Sequence, residues 1–108
     1  TGSPVFDGGV IYVGTRGGTV YALAPDGAER WRADAGGAVF SKPAVAAGTI
    51  FVTTYGRELL ALDAASGTIV GRYRTDSAAY SSPGIDGKRI YFGSNGGVFH
   101  ALWLVPPA

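Results

Sequence analysis

Short apolar segments separated by turn residues run along the whole chain. The segments "VIYVGT" and "TVYALA" are rich in the β-branched and aromatic residues that favour β-strands. Pairs such as Asp7-Gly8 and Asp26-Gly27 stand between the segments and are typical of tight turns. No window keeps apolar residues at the i, i+3, i+4, i+7 spacing of an amphipathic helix for three turns. The pattern therefore predicts an all-β protein built from short strands.

The same strand pattern occurs three times. Pro4, Pro43 and Pro83 align with offsets of 39 and 40 residues, and these offsets bring further columns into register. The first unit predicts four strands, "SPVFD", "VIYVGT", "TVYALA" and "AERWRAD", and the second unit predicts four more. The third unit predicts three, "SPGID", "RIYFGS" and "VFHALW". The other columns are Ile11/Ile50/Ile90, Tyr12/Phe51/Tyr91, Val13/Val52/Phe92, Gly17/Gly56/Gly96, Ala22/Ala61/Ala101 and Leu23/Leu62/Leu102.

Each unit predicts one blade of a β-propeller. The second and third strands are apolar on consecutive positions and need cover on both faces, whereas the fourth is mixed and charged, as an outer edge strand should be. A four-stranded antiparallel sheet packed between copies of itself, with a period near 40 residues, fits a propeller blade. We predict a single repeat region over residues 1–108, with blade 1 at about 3–40, blade 2 at about 41–80 and a three-stranded, incomplete blade 3 at about 81–104. An immunoglobulin-like sandwich has a similar length but does not explain so regular a repeat.

The repeat resembles the PQQ-like (quinoprotein-type) propeller repeat over Ser3 to Leu102. The segments that carry the resemblance are "GGVIYVGTRGGTVYALAPDGAERWRAD" and "GTIFVTTYGRELLALDAASGTIVGRYRTD". One departure is in the outer strand, where the tryptophan of the repeat is kept at Trp31 but replaced by Gly71, with Tyr73 nearby. The resemblance implies that this replacement weakens the docking of blades on each other. The Asp that follows Ala-Leu is kept at Asp63 only, with Ala24 and Trp103 in the other units.

Two complete blades and a three-stranded third do not close a ring, because propellers typically have four to eight blades. An open arc exposes two apolar blade faces, which exceeds what a monomer usually leaves in water. We therefore expect either a fragment of a longer propeller or copies that self-associate head to tail through these faces. The chain begins "TGSP" and contains no Met, so we expect an excised or processed piece whose signal peptide lies outside it.

The charge of the chain narrows the classes of partner. Nine Lys and Arg against eight Asp and Glu give a formal charge of +1, with no basic run, so nucleic acid and a polybasic membrane contact have no support. No apolar run approaches the roughly 18 residues of a membrane span. The absence of Cys excludes disulfides, thiolate catalysis and Cys-ligated metals.

The sequence predicts no catalytic, cofactor-binding or metal-binding residue. His100, the single histidine, stands in the column of Tyr21 and Leu60, which is an ordinary strand position, and one histidine without Cys does not make a metal site. The carboxylates lie mostly at turns and form no acid–base pair. The glycine loops "GTRGG" and "GSNGG" join strand to strand and lack the helix that a phosphate loop needs.

A candidate partner-binding face is predicted from the loops. In a propeller blade, the loop between the second and third strands shares one face with the connection to the next blade. Equivalent loop positions carry unlike residues on a similar framework, as in a recognition surface; the alternative is solvated turn residues with aromatic packing. The candidate residues are Arg16, Tyr55 and Asn95 from the loops, and Phe40, Lys42 and Tyr80 from the interblade connections.

The resemblance implies a function. Non-catalytic members of the PQQ-like group, such as the propeller lipoprotein of the outer-membrane β-barrel assembly machinery, suggest a protein–protein interaction scaffold of the bacterial cell envelope, periplasmic or otherwise extracytoplasmic, with no cofactor. One alternative is a fragment of a quinoprotein dehydrogenase that uses pyrroloquinoline quinone and calcium, although the acidic base, calcium ligands and adjacent cysteines expected of such enzymes are not found. The other is a self-assembling propeller fragment with no ligand of its own.

Overall fold

The structure, a computed structural model, describes residues 4–39, 42–46, 48–75, 82–86, 89–93 and 99–103. These residues form eleven β-strands, as the sequence predicts. The described part of the chain contains no helix that is long and apolar enough to span a membrane. The strands are β1 (Val5–Asp7), β2 (Val10–Gly14), β3 (Thr19–Leu23), β4 (Glu29–Asp34), β5 (Ala44–Ala46), β6 (Thr49–Thr54), β7 (Glu58–Asp63), β8 (Ile69–Arg74), β9 (Gly84–Asp86), β10 (Arg89–Gly93) and β11 (Phe99–Trp103).

The strands form three antiparallel sheets in simple meander order. Two sheets have four strands, β1-β2-β3-β4 and β5-β6-β7-β8, and the third has β9, β10 and β11. This arrangement confirms the predicted fold class of two four-stranded propeller blades and a three-stranded third. We name the sheets blade 1, blade 2 and blade 3. The residues around the predicted blade boundaries, 40–41 and 76–81, lie outside the described residues, so the boundaries themselves stay predictions.

The meander gives every blade two edges where the chain turns. The β1–β2, β3–β4 and β7–β8 turns lie on one edge, which we name the lower edge. The β2–β3 and β6–β7 turns and the connections between blades lie on the other, the upper edge. At the lower edge, Gly8, Gly27 and Gly67 adopt positive φ angles of 57°, 91° and 78°. These turns need the left-handed backbone that glycine adopts without steric cost.

A core between blades 1 and 2 holds these two sheets together. Strand pairing places Tyr12 beside Ala22 and Ala22 beside Trp31, so these side chains share the face that packs on blade 2. A smaller core of Phe51, Leu59, Ile90 and Phe92 joins blades 2 and 3. Burial of apolar side chains on both faces of blade 2 supplies the main driving force for stacking. The first core consists of Tyr12, Val20, Ala22, Ala35, Val39, Ile50, Val52, Leu60 and Leu62.

Trp31 fastens the outer strand of blade 1 to blade 2. Its indole Nε1 donates a hydrogen bond to the carbonyl oxygen of Ala64, 2.9 Å away in the β7–β8 turn. A Cβ atom at Gly67 would lie 2.5 Å from Cε3 of the indole, so the ring rests directly on the backbone of that turn. The ring of Tyr12 lies 6.2 Å from that of Trp31. Trp31 therefore contributes both a hydrogen bond and close packing to the contact between blades 1 and 2 at the lower edge.

The second interface uses a different aromatic residue from the same strand face. Gly71 occupies the position of the tryptophan, and Tyr73, two residues further along β8, contacts blade 3 instead. The ring of Tyr73 meets Phe92 edge-on at 6.1 Å and His100 at 5.5 Å. Side chains two residues apart in a strand share one face, so Tyr73 still points at the next blade. The missing tryptophan is thus replaced by another aromatic contact.

Candidate functional site

Three backbone segments meet at the upper edge between blades 1 and 2. The amide of Val39 donates to the carbonyl of Thr15 at 2.9 Å, and the amide of Tyr55 donates to the carbonyl of Ala38 at 3.0 Å. The connection between the blades therefore lies between the β2–β3 turn of blade 1 and the β6–β7 turn of blade 2. Since backbone groups make these contacts, the edge is held independently of its exposed side chains.

Glycines allow this close approach. A Cβ atom at Gly37 would lie 2.5 Å from the backbone nitrogen of Gly56, and one at Gly56 would lie 3.0 Å from the carbonyl oxygen of Gly36. A real Cβ atom does not lie 2.5 Å from backbone, so a side chain at Gly37 would force the backbone to shift, and one at Gly56 would make an unusually tight contact. Gly56 belongs to the repeated column Gly17/Gly56/Gly96. Gly56 thus has a packing role at this edge, whereas a Cβ atom at its counterpart Gly17 would lie at an ordinary 3.8 Å from Oγ1 of Thr15.

Three of the six predicted face residues are described, and the structure places all three on the upper edge. Arg16 is exposed in the β2–β3 turn, and Tyr55, in the β6–β7 turn, has 46% of its surface exposed. Lys42 is exposed in the connection between blades 1 and 2, and its amide donates to Oγ of Ser82 at 2.9 Å. That hydrogen bond links the two interblade connections. The other predicted residues, Phe40, Tyr80 and Asn95, lie outside the described residues.

Sequence reasoning missed Arg57 at the same edge. This exposed arginine is the last residue of the β6–β7 turn and has a φ of 65°. All other described residues with a positive φ are glycines. The counterpart of Arg57 in blade 1 is Gly18, with a φ of 88°. The signal was present in the sequence, because the repeat aligns Gly18, Arg57 and Gly97, and arginine interrupts a glycine column.

Charge is distributed unequally between the two edges. The basic residues Arg16, Lys42 and Arg57 lie on the upper edge, and Arg74 ends β8 there. The lower edge carries Asp26 in the β3–β4 turn and Asp7 and Asp63 at the ends of β1 and β7, together with the basic residues Arg30 and Arg89.

The carboxylates near the upper edge are already used within the fold. Oδ1 of Asp34 accepts a hydrogen bond from the amide of Gly36 at 2.9 Å. The largely buried Glu58 pairs with Arg72 at 3.0 Å. Asp34 is exposed and keeps its negative charge, so the described part of the upper edge is predominantly, not wholly, basic, with Tyr55 as its exposed aromatic residue.

His100 has a structural position. Its ring stacks on Phe92 at 4.8 Å with an angle of 15° between the planes, and Nδ1 lies 3.4 Å from the hydroxyl of Tyr73. The histidine therefore takes part in the contact between blades 2 and 3, as its strand column predicts. Across the residues that the structure describes, no three His, Cys, Asp or Glu side chains lie together in a geometry that would hold a metal ion.

A groove of about 410 Å³ opens at the lower edge between blades 1 and 2. Tyr12 and Trp31 are part of its lining, and burial raises the pKa of the Tyr12 phenol, with a further contribution from Asp7. Oδ1 of Asp63, another lining residue, accepts from the amide of Ala65 at 2.8 Å and so caps its own turn. The groove lies at the outer rim of the blade interface, where Asp63 caps a turn and Trp31 docks on the next blade.

These features define a class of protein. Stacked four-stranded meanders, an outer-strand tryptophan bound to the next blade and a repeat of 39 and 40 residues are those of a PQQ-like β-propeller repeat protein. The family model described as outer membrane protein assembly factor BamB matches residues 1–103. The chain belongs to this family, which confirms the resemblance seen in the repeat.

Individual relatives agree with the family match. Outer membrane protein assembly factor BamB of Burkholderia pseudomallei (strain K96243) is 37% identical over 68 residues, which cover 63% of this chain and 18% of the relative. BamB of Yersinia pestis is 32% identical over 95 residues, covering 87% of this chain and 24% of the relative. The crystal structure of BamB from Moraxella catarrhalis matches with a TM-score of 0.83 and 28% identity, over 96% of this chain and 33% of that one. The matched part of the chain thus spans between 18% and 33% of the length of these proteins.

More distant structures share the fold. The quinohemoprotein alcohol dehydrogenase ADHIIG from Pseudomonas putida HK5 matches with a TM-score of 0.88 and 23% identity, over 95% of this chain and 19% of that one. The computationally designed Ika8 protein matches with a TM-score of 0.78 and 13% identity, over 94% of this chain and 32% of that one. At these identities the likeness concerns the backbone only.

Proposed function

We propose that this chain is a non-catalytic β-propeller segment that serves as a protein–protein interaction scaffold in outer membrane protein assembly, on the periplasmic side of the bacterial envelope. The observation that carries the proposal is the match of residues 1–103 to the BamB family. The matched relatives are named as assembly factors. The proposal is also supported by an upper edge whose hydrogen-bonded backbone carries exposed side chains that differ between the units. No cofactor is required for this role.

The upper edge is the proposed contact surface. Its backbone is fixed by the bonds from Val39 to Thr15 and from Tyr55 to Ala38, so little conformational entropy is lost there on binding. Tyrosine and arginine are the residue types most often found at the centre of protein interfaces. The proposed contact residues are Arg16, Lys42 and Tyr55, together with Phe40, Tyr80 and Asn95 from the sequence prediction.

Site-specific photocrosslinking tests the proposal. A photoreactive amino acid is introduced at Tyr55, and at Val70 as a matched control, because Val70 is 61% exposed on the outer strand β8, away from the upper edge. In cells that export the protein, we expect position 55 to crosslink to proteins of outer membrane assembly, identified by mass spectrometry. Equal crosslinking from both positions would contradict an upper-edge contact surface.

A dehydrogenase segment is the weaker proposal, because it rests on structures that share the fold at 23% identity. Titration with pyrroloquinoline quinone and calcium distinguishes the two roles. The scaffold role predicts no saturable binding, whereas calcium-dependent saturation would favour the enzyme.

We also propose that the 108-residue chain self-associates through the open face of blade 1. Phe6 in β1 is 65% exposed on this face. Tyr21 in β3 lies on the same face, with the guanidinium of Arg32 5.4 Å from its ring. The corresponding columns of blade 2 are buried by blade 1, so a second copy that offers a blade face would cover the same positions in blade 1. The columns are Phe6/Val45, Ile11/Ile50, Val13/Val52, Tyr21/Leu60 and Leu23/Leu62.

Light scattering over a concentration series tests self-association. We expect discrete multimers of the wild-type chain and dissociation by Phe6→Glu, because a charge on the covered face carries a desolvation cost. Val70→Glu, at a similarly exposed position on the outer strand, is the control and should leave the multimers intact. A folded wild-type monomer at all concentrations would refute this proposal.

A further inference from the structure

Arg57 has a left-handed backbone conformation. The equivalent position in blade 1, which has the same conformation, is a glycine, Gly18. The φ of Arg57, 65°, lies in the left-handed region, where a side chain crowds the backbone. The turn needs this conformation, because the carbonyl of Arg57 accepts a hydrogen bond from the amide of Thr75 at 2.8 Å and its amide donates to Thr54 at 3.3 Å. Gly18 meets the same requirement in blade 1 without a side chain. Arginine thus makes the turn less stable than glycine would.

Among the described residues, the side chain of Arg57 makes no hydrogen bond or ion pair that would offset this cost. The two ion pairs between described residues are Arg32–Glu29 and Arg72–Glu58, and neither includes Arg57. A strained residue of this kind is often retained for a role outside the fold.

The surroundings of Arg57 indicate what its guanidinium binds. Tyr55 lies two residues before it, and Arg16, Lys42 and Arg74 lie on the same upper edge. Like charges on one edge repel each other, and a ligand that carries carboxylates relieves that repulsion. Arginine also binds carboxylates through two parallel hydrogen bonds, which adds direction to the attraction.

We propose that Arg57 is a partner-binding residue and that the upper edge binds an acidic segment of a partner protein. This proposal rests on the scaffold function proposed above. The carboxylates of the segment pair with Arg57 and its basic neighbours, while Tyr55 packs against an apolar side chain of the segment. A protein segment fits better than nucleic acid, because the chain has a formal charge of only +1 and aspartates on its lower edge. A nucleic-acid partner is instead an outcome that the test distinguishes.

Fluorescence anisotropy with a labelled peptide of Glu, Ser and Phe tests the inference, with a peptide carrying Gln in place of Glu as the ligand control. Arg57→Gly is expected to weaken binding by roughly two- to five-fold, the range of an exposed charge pair. Arg57→Lys keeps the charge but cannot form the two parallel hydrogen bonds, so its affinity should lie between that of the wild type and that of Arg57→Gly. Arg30→Gln is the matched control, because Arg30 is an exposed arginine at the lower-edge end of β4. This variant should bind the peptide as the wild type does.

Urea unfolding of the same variants separates binding from folding. If Arg57 is kept for its partner, Arg57→Gly unfolds at an equal or higher urea concentration than the wild type while binding more weakly. A lower midpoint for Arg57→Gly would assign the residue to the fold and overturn the inference. Unchanged peptide affinity, or equal binding of the Gln peptide, would overturn it too.

Two further outcomes show which proposal fails. Crosslinks from position 55 to envelope proteins without binding of the Glu peptide would refute the acidic partner and leave the scaffold function standing. A single-stranded DNA oligonucleotide that displaces the peptide and binds more tightly would refute the protein-segment assignment. Absence of both crosslinks and peptide binding would refute both proposals.

Discussion

Replacement of Trp31 tests how much a single docking residue contributes to the stacking of blades. Trp31→Phe removes the hydrogen bond from Nε1 to the Ala64 carbonyl, 2.9 Å long, and part of the ring surface that lies on Gly67. The lost hydrogen bond contributes about 1 kcal/mol. Lost packing adds to this, so we expect a total destabilisation of about 1–2 kcal/mol. Trp31→Ala removes the whole half-buried ring and should cost about 2–4 kcal/mol.

Urea unfolding measures these changes. With a slope of about 2 kcal/mol per molar urea, Trp31→Phe should lower the midpoint by about 0.5–1 M. Circular dichroism is the suitable signal, because the substitution removes one of only two tryptophans and so alters the fluorescence. Arg30→Gln, at the neighbouring exposed position, is the control and should leave the midpoint within the error of the wild type.

A double-mutant cycle with Gly67→Ala isolates the contact between ring and turn. Gly67→Ala is destabilising for two reasons, its φ of 78° and a Cβ atom 2.5 Å from Cε3 of the indole. In a Trp31→Ala background the second reason disappears and the first remains, so the two substitutions should be non-additive. Strict additivity, or a Trp31→Phe variant as stable as the wild type, would refute the docking role derived from the structure.

Three other predictions follow from the same contacts. Gly37→Ala should lower the free energy of unfolding by about 1–3 kcal/mol, since its Cβ would meet the backbone nitrogen of Gly56 at 2.5 Å. A melting temperature equal to that of the wild type would contradict the close approach. Tyr73→Phe should be nearly neutral in urea unfolding, because the hydroxyl lies 3.4 Å from Nδ1 of His100, whereas Tyr73→Ala should lose about 1 kcal/mol or more of aromatic contact. Burial raises the pKa of Tyr12, so the folded state holds this proton more tightly than the unfolded state; stability should fall as the pH rises above about 10, and Tyr12→Phe should reduce that fall in an alkaline unfolding series.

The strands and their order were predictable from the sequence. Short runs of consecutive apolar residues, rich in β-branched and aromatic types, define segments such as Thr49–Thr54 and Glu58–Asp63, and turn residues limit their length. The repeat then fixes the fold class, because three aligned units impose one common structure. Local pattern and repeat agree at every described strand.

The contacts between blades were less predictable. The docking of Tyr73 on Phe92 and His100 depends on distances between blades that strand alternation does not give. The close approach of Gly37 to Gly56 joins two segments that belong to different blades, and Gly37 stands outside the repeated columns. The sequence predicted the upper-edge position of Arg16, Lys42 and Tyr55 from connectivity alone, but their role as a contact surface stays a prediction.

The repeat is interrupted at Gly71 and at Arg57, and the two interruptions have different physical consequences. The fold compensates for the first but not for the second. At Gly71 the docking tryptophan is missing, but Tyr73 lies on the same strand face and contacts blade 3, so the fold itself supplies a replacement. At Arg57 a glycine is missing from a turn that still adopts a φ of 65°. Among the described residues, no hydrogen bond or ion pair of the Arg57 side chain offsets that cost. The first interruption is therefore explained inside the molecule, whereas the second points to a ligand outside it.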